Sequence, residues 1–148
     1  MPESYQHLLT TLAQEIGLDA VSLMATEEIV IDDLAIGLQL QGEGEREEVV
    51  LCSLLAAPEA QRWDEVARAL MQANHLWTEI PGATLGMLPD DDTVSLNVRR
   101  PLRELDAEKL AVLLAKTADL GLAWQDFIVS GQATPGVPAF FDAADTPA

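Results

Sequence analysis

The residues able to do chemistry are few, and their spacing assembles nothing. His7 and His75 are the only histidines, and Cys52 is the only cysteine. The histidines fall on different helical segments, and neither stands at a metal-ligand spacing from the cysteine. There is no H-E-x-x-H, no Walker A loop, no G-x-S-x-G and no C-x-x-C. Cys52 lies in an apolar run with no cation nearby in sequence, which reads as an inert buried thiol. Asp90-Asp91-Asp92 lacks the spacing, central glycine and distant glutamate of a calcium loop, so a solvated turn is expected. Glu27-Glu28 and Glu47-Glu48 read as solvated strand ends, since paired carboxylates acting in acid/base chemistry need a cleft of defined width. Gly42-x-Gly44 is too short for a phosphate loop, and its flanking glutamates repel phosphate. No enzyme, metal or cofactor is expected from this set.

The elements that carry these residues are better defined. Tyr5, Leu8, Leu9, Leu12 and Ile16 share one face of a first helix, which Gly17 ends. Val21 and Leu23 start a short apolar stretch that reads as the beginning of a run of strands. Ile29–Ile31 leads through Asp32-Asp33 into Leu34, Ile36, Leu38 and Leu40, which alternate with smaller or polar residues. Gly42–Glu45 is a turn, and Val49–Leu55 is a strand apolar on nearly every residue, as expected of a strand covered on both sides. Pro58 opens a second helix, with Trp63, Val66, Ala67, Leu70, Asn74 and Trp77 at helical spacing. Thr84–Leu88 and Thr93–Val98 flank a Pro-Asp turn. Asp106 caps a last helix that Gly131 ends. The pattern predicts an α+β fold, a mainly antiparallel twisted sheet flanked by three helices in the order α-β-β-β-α-β-β-α. It places one domain over residues 1–130 and a Pro/Ala-rich flexible tail over 131–148. Two readings stand for Trp63 and Trp77, a core stripe or a subunit interface. Two also stand for Phe140-Phe141 in the tail, docked on the domain or mobile.

Charge narrows the partners. The 148 residues hold 8 Lys and Arg against 25 Asp and Glu, a net charge of −17, and the first 45 residues have no Lys or Arg. Such a surface repels nucleic acid and anionic membranes and attracts basic protein segments. The N-terminus lacks the pattern of a signal peptide, and no apolar run is long enough to span a bilayer. With the single cysteine, these features predict a cytoplasmic protein without membrane insertion.

The chain resembles the class I type III secretion chaperones (Tir chaperone-like). The resemblance is carried by the helix YQHLLTTLAQEIGL, the hairpin EEIVIDDLAIGLQLQ and the strand EVVLCSLLAA, followed by the helix RWDEVARALMQANHLW. The strands TLGMLPDDDTVSLNVRRPL and the closing helix LDAEKLAVLLAKTADLGLAWQDFI complete it. It spans about residues 2 to 130 by element order. It implies a homodimer around which the extended N-terminal chaperone-binding segment of a secreted effector wraps, partly by strand addition, without ATP. The effector is thereby kept non-globular and competent for secretion. An extended effector needs apolar pockets and free sheet edges, which the first helix and the Leu34–Leu40 strand could provide; Tyr5, Leu8, Leu12, Ile36 and Leu38 are the candidates for effector contact, and core packing is the other reading of each. By element position, the second helix and the fifth strand would pair the protomers. Trp63, Val66, Leu70, Trp77, Val94 and Leu96 would form the dimer. The acidity leaves a second reading, an acidic regulatory protein that sequesters a basic partner.

Overall fold

The computed structural model describes residues 1–75 and 80–131. Trp77, Phe140-Phe141 and all of the tail after Gly131 lie outside the described residues.

Helix α1 (Glu3–Ile16) buries Tyr5, Leu8, Leu9, Leu12 and Ala13 and ends where Gly17 turns left-handed at φ 76°. The next segment departs from the expected strand. Residues Ala20–Thr26 form a short helix, α2. Its cause is local: Asp19 is the N-cap, and its carboxylate accepts hydrogen bonds from both the Ser22 N–H (3.0 Å) and the Ser22 hydroxyl (2.7 Å). That cap satisfies an N–H that a strand start would leave open, and it outweighs the β-branched preference of Val21. The described residues therefore form four α-helices, one more than the three expected.

Strands β1 (Glu28–Ile31) and β2 (Leu34–Gln41) form a hairpin whose two linking residues, Asp32 and Asp33, both have positive φ, 50° and 69°. Left-handed conformation at both central residues matches the twist of a two-residue hairpin, and Asp tolerates it better than most side chains. β3 (Glu48–Leu54) pairs antiparallel with β2. After a 3-10 turn comes α3 (Trp63–His75), then β4 (Thr84–Met87) and β5 (Val94–Pro101). β5 inserts between β3 and β4, so the antiparallel sheet runs β1-β2-β3-β5-β4. The nearly unbroken apolar run of β3 is explained by this central place.

Helix α4 (Ala107–Ser130) closes the domain. Asp106 caps it, accepting from the Lys109 N–H at 2.8 Å, and Gly131 ends it at φ 78°. It lies on one face of the sheet, that of Leu34, Ile36, Leu38, Val49, Leu51, Leu96 and Val98. Gly121 marks the closest approach: a side chain there would stand 2.7 Å from Leu34 Cδ2. The main core forms here, with Trp124, Leu110, Leu114, Ile128, Leu9 and Leu12 almost wholly buried. The other face of the sheet is more open. Val30, Ala35, Gln39, Leu54, Thr84 and Arg99 are exposed on it.

Candidate functional site

The sheet ends differently at its two sides, and the difference starts from register. The β1–β2 hairpin closes at the pair Ile31 and Leu34, with Ile29 opposite Ile36 and Glu28 opposite Gly37. In an antiparallel ladder, alternate residues direct both backbone groups at the partner strand and the others direct them away. The Leu38 N–H donates to the Glu27 carbonyl at 2.8 Å, which fixes the phase: residues 27, 29 and 31 face β2. Glu28 and Val30 therefore aim their N–H and C=O groups outward. Among the described residues no strand lies beyond β1. Val30 is 63% exposed, and Ile16, Leu18 and Val21 add further exposed apolar side chains on α1, α2 and their link.

At the opposite side, β4 is engaged by a side chain of α3. The Asn74 amide donates to the Leu85 carbonyl at 2.7 Å, and the Leu85 N–H donates to the Asn74 side-chain oxygen at 2.9 Å. One amide thus satisfies both outward backbone groups of Leu85, in the middle of that edge. Helix α3 is held in place at its other end by Arg62, just before it. The Arg62 Nη1 donates to the Ile128 carbonyl at 2.6 Å, and its guanidinium stands 5.4 Å from the Phe127 ring.

Held in this way, α3 turns Trp63, Ala67 and Met71 outward. They are spaced four apart and so form one stripe. With Arg68, Gln72 and His75 they line an open groove of about 570 Å³. Trp63 is 41% exposed and Met71 75%. A second groove, about 560 Å³, lies between α1 and the start of α4. His7, Leu8, Glu47, Leu102, Arg103 and Asp106 are among its walls.

The residues singled out from sequence fall as follows. Tyr5, Leu8, Leu12, Ile36 and Leu38 all pack in the protomer core. Leu8 also borders the groove between α1 and the start of α4. The Tyr5 hydroxyl donates to Glu27 at 2.7 Å, and burial, this bond and the nearby carboxylate hold its pKa well above the ordinary value. Val66, Leu70, Val94 and Leu96 are likewise core residues, whereas Trp63 reaches the surface. The apolar surface left for a partner is carried by their neighbours, Val30, Leu54, Val21 and Met71. Alternation and helical periodicity announce that two faces exist, and burial decides which one is covered. Cys52 is half-buried on the more open face of the sheet, and burial pushes its thiol pKa up, so it holds its proton. Among the described residues, no three His, Cys, Asp or Glu side chains gather as metal ligands, and no helix is long and apolar enough to cross a membrane.

Comparison with known proteins fits this architecture. No curated protein matches the chain by sequence. Solved structures share its fold, among them three complexes. One is described as the HopA1-SchA chaperone-effector complex: 17% identity, TM-score 0.62, covering 83% of this chain and 94% of the other. A second is the ExsC-ExsE complex: 20% identity, TM-score 0.63, 86% and 97% covered. A third is the ExoT-SpcS complex from Pseudomonas aeruginosa: 17% identity, TM-score 0.61, 80% and 95% covered. The model of the Tir chaperone protein (CesT) family matches residues 7–125, most of the domain, and the chain belongs to that family.

Proposed function

We propose that this protein is a type III secretion chaperone that binds effector proteins. The observation that carries the reading is the family match over residues 7–125, on a sheet with one edge strand open to a partner. The similar solved structures described as chaperone–effector or two-protein complexes support it. The protein works in the cytoplasm, by binding and not by catalysis. It engages the extended N-terminal chaperone-binding segment of its effector and keeps that segment non-globular. Exposed backbone groups on β1 give such a segment main-chain partners without demanding a particular side-chain sequence. Exposed apolar residues beside them add affinity.

The chaperone acts as a homodimer. Its pairing surface is the outer stripe of α3, with Trp63 as the large anchor and Met71 beside it; Trp residues are favoured anchors at such interfaces. Val66 and Leu70 hold the inner side of the helix against the core and so set the shape of that surface. Replacing Met71 with Asp places a charge at the end of the stripe, on its most exposed apolar side chain. The expected result is a dimer-to-monomer shift in light scattering at micromolar concentration, with the circular dichroism spectrum unchanged.

The functional test is co-purification of the tagged full chain with the proteins secreted by a type III-competent strain, followed by limited proteolysis and mass measurement. Two copies of this protein on one secreted partner, protecting the partner's N-terminal region, is the expected outcome. The acidity favours a second reading, sequestration of a basic regulator. Capture of basic proteins alone, in complexes that dissolve at high salt, would replace the first reading with that one.

A further inference from the structure

The β1 edge sits in a part of the chain with no positive charge. Residues 1–45 contain nine Asp and Glu and no Lys or Arg. The carboxylates bracket the open edge. Glu28 is exposed at its start, and Asp32 and Asp33 are exposed in the turn at its end. Between them stands Val30, exposed and aiming its backbone outward. Ala35, exposed on β2, is the register partner of Val30 and extends the apolar spot toward the sheet centre. The two arginines of the sheet, Arg99 and Arg100, lie on β5, three strands away.

From this we infer that the segment taken up at β1 is a basic strand, with an apolar residue opposite Val30 and cations two positions to either side. This rests on the strand-addition reading above and specifies its partner. In a strand paired with β1, the residue opposite Val30 has one neighbour two positions away that faces Glu28, on the same side of the sheet, and another that lies beside the Asp32-Asp33 turn. Glu28 lies two residues before Val30 and the turn carboxylate of Asp32 two residues after it, so the partner's cations stand two positions to either side of its apolar residue. An acidic strand in this place would meet like charge at both ends, with no Lys or Arg on β1, β2 or the turn between them to offset it. The partner therefore reads as Lys/Arg-x-apolar-x-Lys/Arg, in either chain direction. The requirement comes from the bracketing carboxylates and leaves the intervening positions free.

The test uses the full chain and three labelled ten-residue peptides of alternating apolar and polar residues, identical except that the two flanking positions are Lys, Gln or Glu. Binding is read by fluorescence anisotropy. The lysine peptide is expected to bind about tenfold tighter than the glutamine peptide at low salt and the glutamate peptide weakest, as two opposite-charge cross-strand pairs and the surrounding field allow. The difference shrinks at about 0.5 M salt, where the screening length is only a few ångströms. The double variant E28Q/D32N, whose asparagine still accepts the left-handed turn, is expected to remove most of the lysine preference. Equal affinity for the lysine and glutamine peptides overturns the charge inference and leaves strand addition standing. Strand addition itself is tested by Val30→Pro, which deletes an outward N–H while sparing the bonds to β2. It is also tested by a lysine peptide N-methylated along its pairing edge, which needs no change in the protein. Both are expected to lose binding by tenfold or more. Unchanged binding of the N-methylated peptide, or failure of all three peptides to bind, overturns the strand-addition reading together with the inference.

Discussion

At the β4 edge, the Asn74 amide holds both the N–H and the C=O of Leu85. At the β1 edge, the outward groups of Glu28 and Val30 have no strand beside them among the described residues. Natural sheets usually blunt both edges, because an open edge is a template for pairing with any extended chain. Here one edge is blocked by a side chain from the protein's own helix and the other is left open within a ring of negative charge. A strand added at β4 would first have to displace Asn74 from Leu85, whereas a strand added at β1 displaces no partner strand among the described residues. The charge at the open side also keeps two copies from pairing β1 to β1, since each would bring its carboxylates against the other's.

Three substitutions test this contrast, in falling order of effect. The largest acts at the blocked edge. Asn74→Ala removes a donor and an acceptor at once and leaves the Leu85 backbone without them. A loss of about 2 kcal/mol is expected in a denaturant titration. Light scattering of this variant should also show new concentration-dependent association if the amide is what blocks the edge. An unchanged association state would show that the bulk of α3 suffices. Next comes Tyr5→Phe, which cuts the link between α1 and the residue that leads into the open edge. Losing the bond to Glu27 costs about 1 kcal/mol. The folded-state pKa of Tyr5 is raised from an ordinary value of 10.0. Its contribution is therefore complete below about pH 10 and is lost as pH climbs above that value, because the unfolded chain can ionise and the folded one resists. Stability of the parent protein should fall above pH 10 more steeply than that of the Phe variant, as followed by denaturant midpoints. The smallest effect on stability is at the open edge itself. Val30→Thr changes an exposed side chain and should alter stability by less than about 0.5 kcal/mol. A weaker hold on a partner strand, with folding unaffected, is its expected signature.

Much of this fold is legible in the sequence. The alternation of Leu34, Ile36, Leu38 and Leu40 yields β2, Asp32-Asp33 yields the turn, and the stripe from Leu110 to Ile128 yields α4. Gly17, Asp106 and Gly131 mark helix ends because their backbone or capping chemistry is local. Helix α2 is the departure. Val21 and Leu23 resemble a strand start, and the deciding signal is the cap that Asp19 and Ser22 form three residues apart. The candidate site is much less legible. Which strand ends the sheet depends on β5 entering between β3 and β4, a pairing between distant segments. The Asn74–Leu85 and Tyr5–Glu27 contacts join residues 11 and 22 positions apart. Periodicity also marks apolar faces without saying which is covered, so Tyr5, Ile36 and Leu38 read as surface candidates although α4 and the helices beside it enclose them.

The seam between β3 and β5 has a consequence for how the chain reaches this state. Val50 pairs with Arg99 across it, and between those two strands lie α3 and β4. Local hairpins close quickly, whereas a contact between distant segments waits for the intervening loop to be ordered. The β1-β2-β3 meander and the β4–β5 hairpin are thus expected to form as separate units that join late. During synthesis the first unit leaves the ribosome ahead of residues 94–101. Until they arrive, β3 is itself a sheet edge, with Val49, Val50 and Leu51 along it. The nascent chaperone therefore passes through a period in which it presents the kind of apolar, unpaired strand that it is proposed to shelter in others.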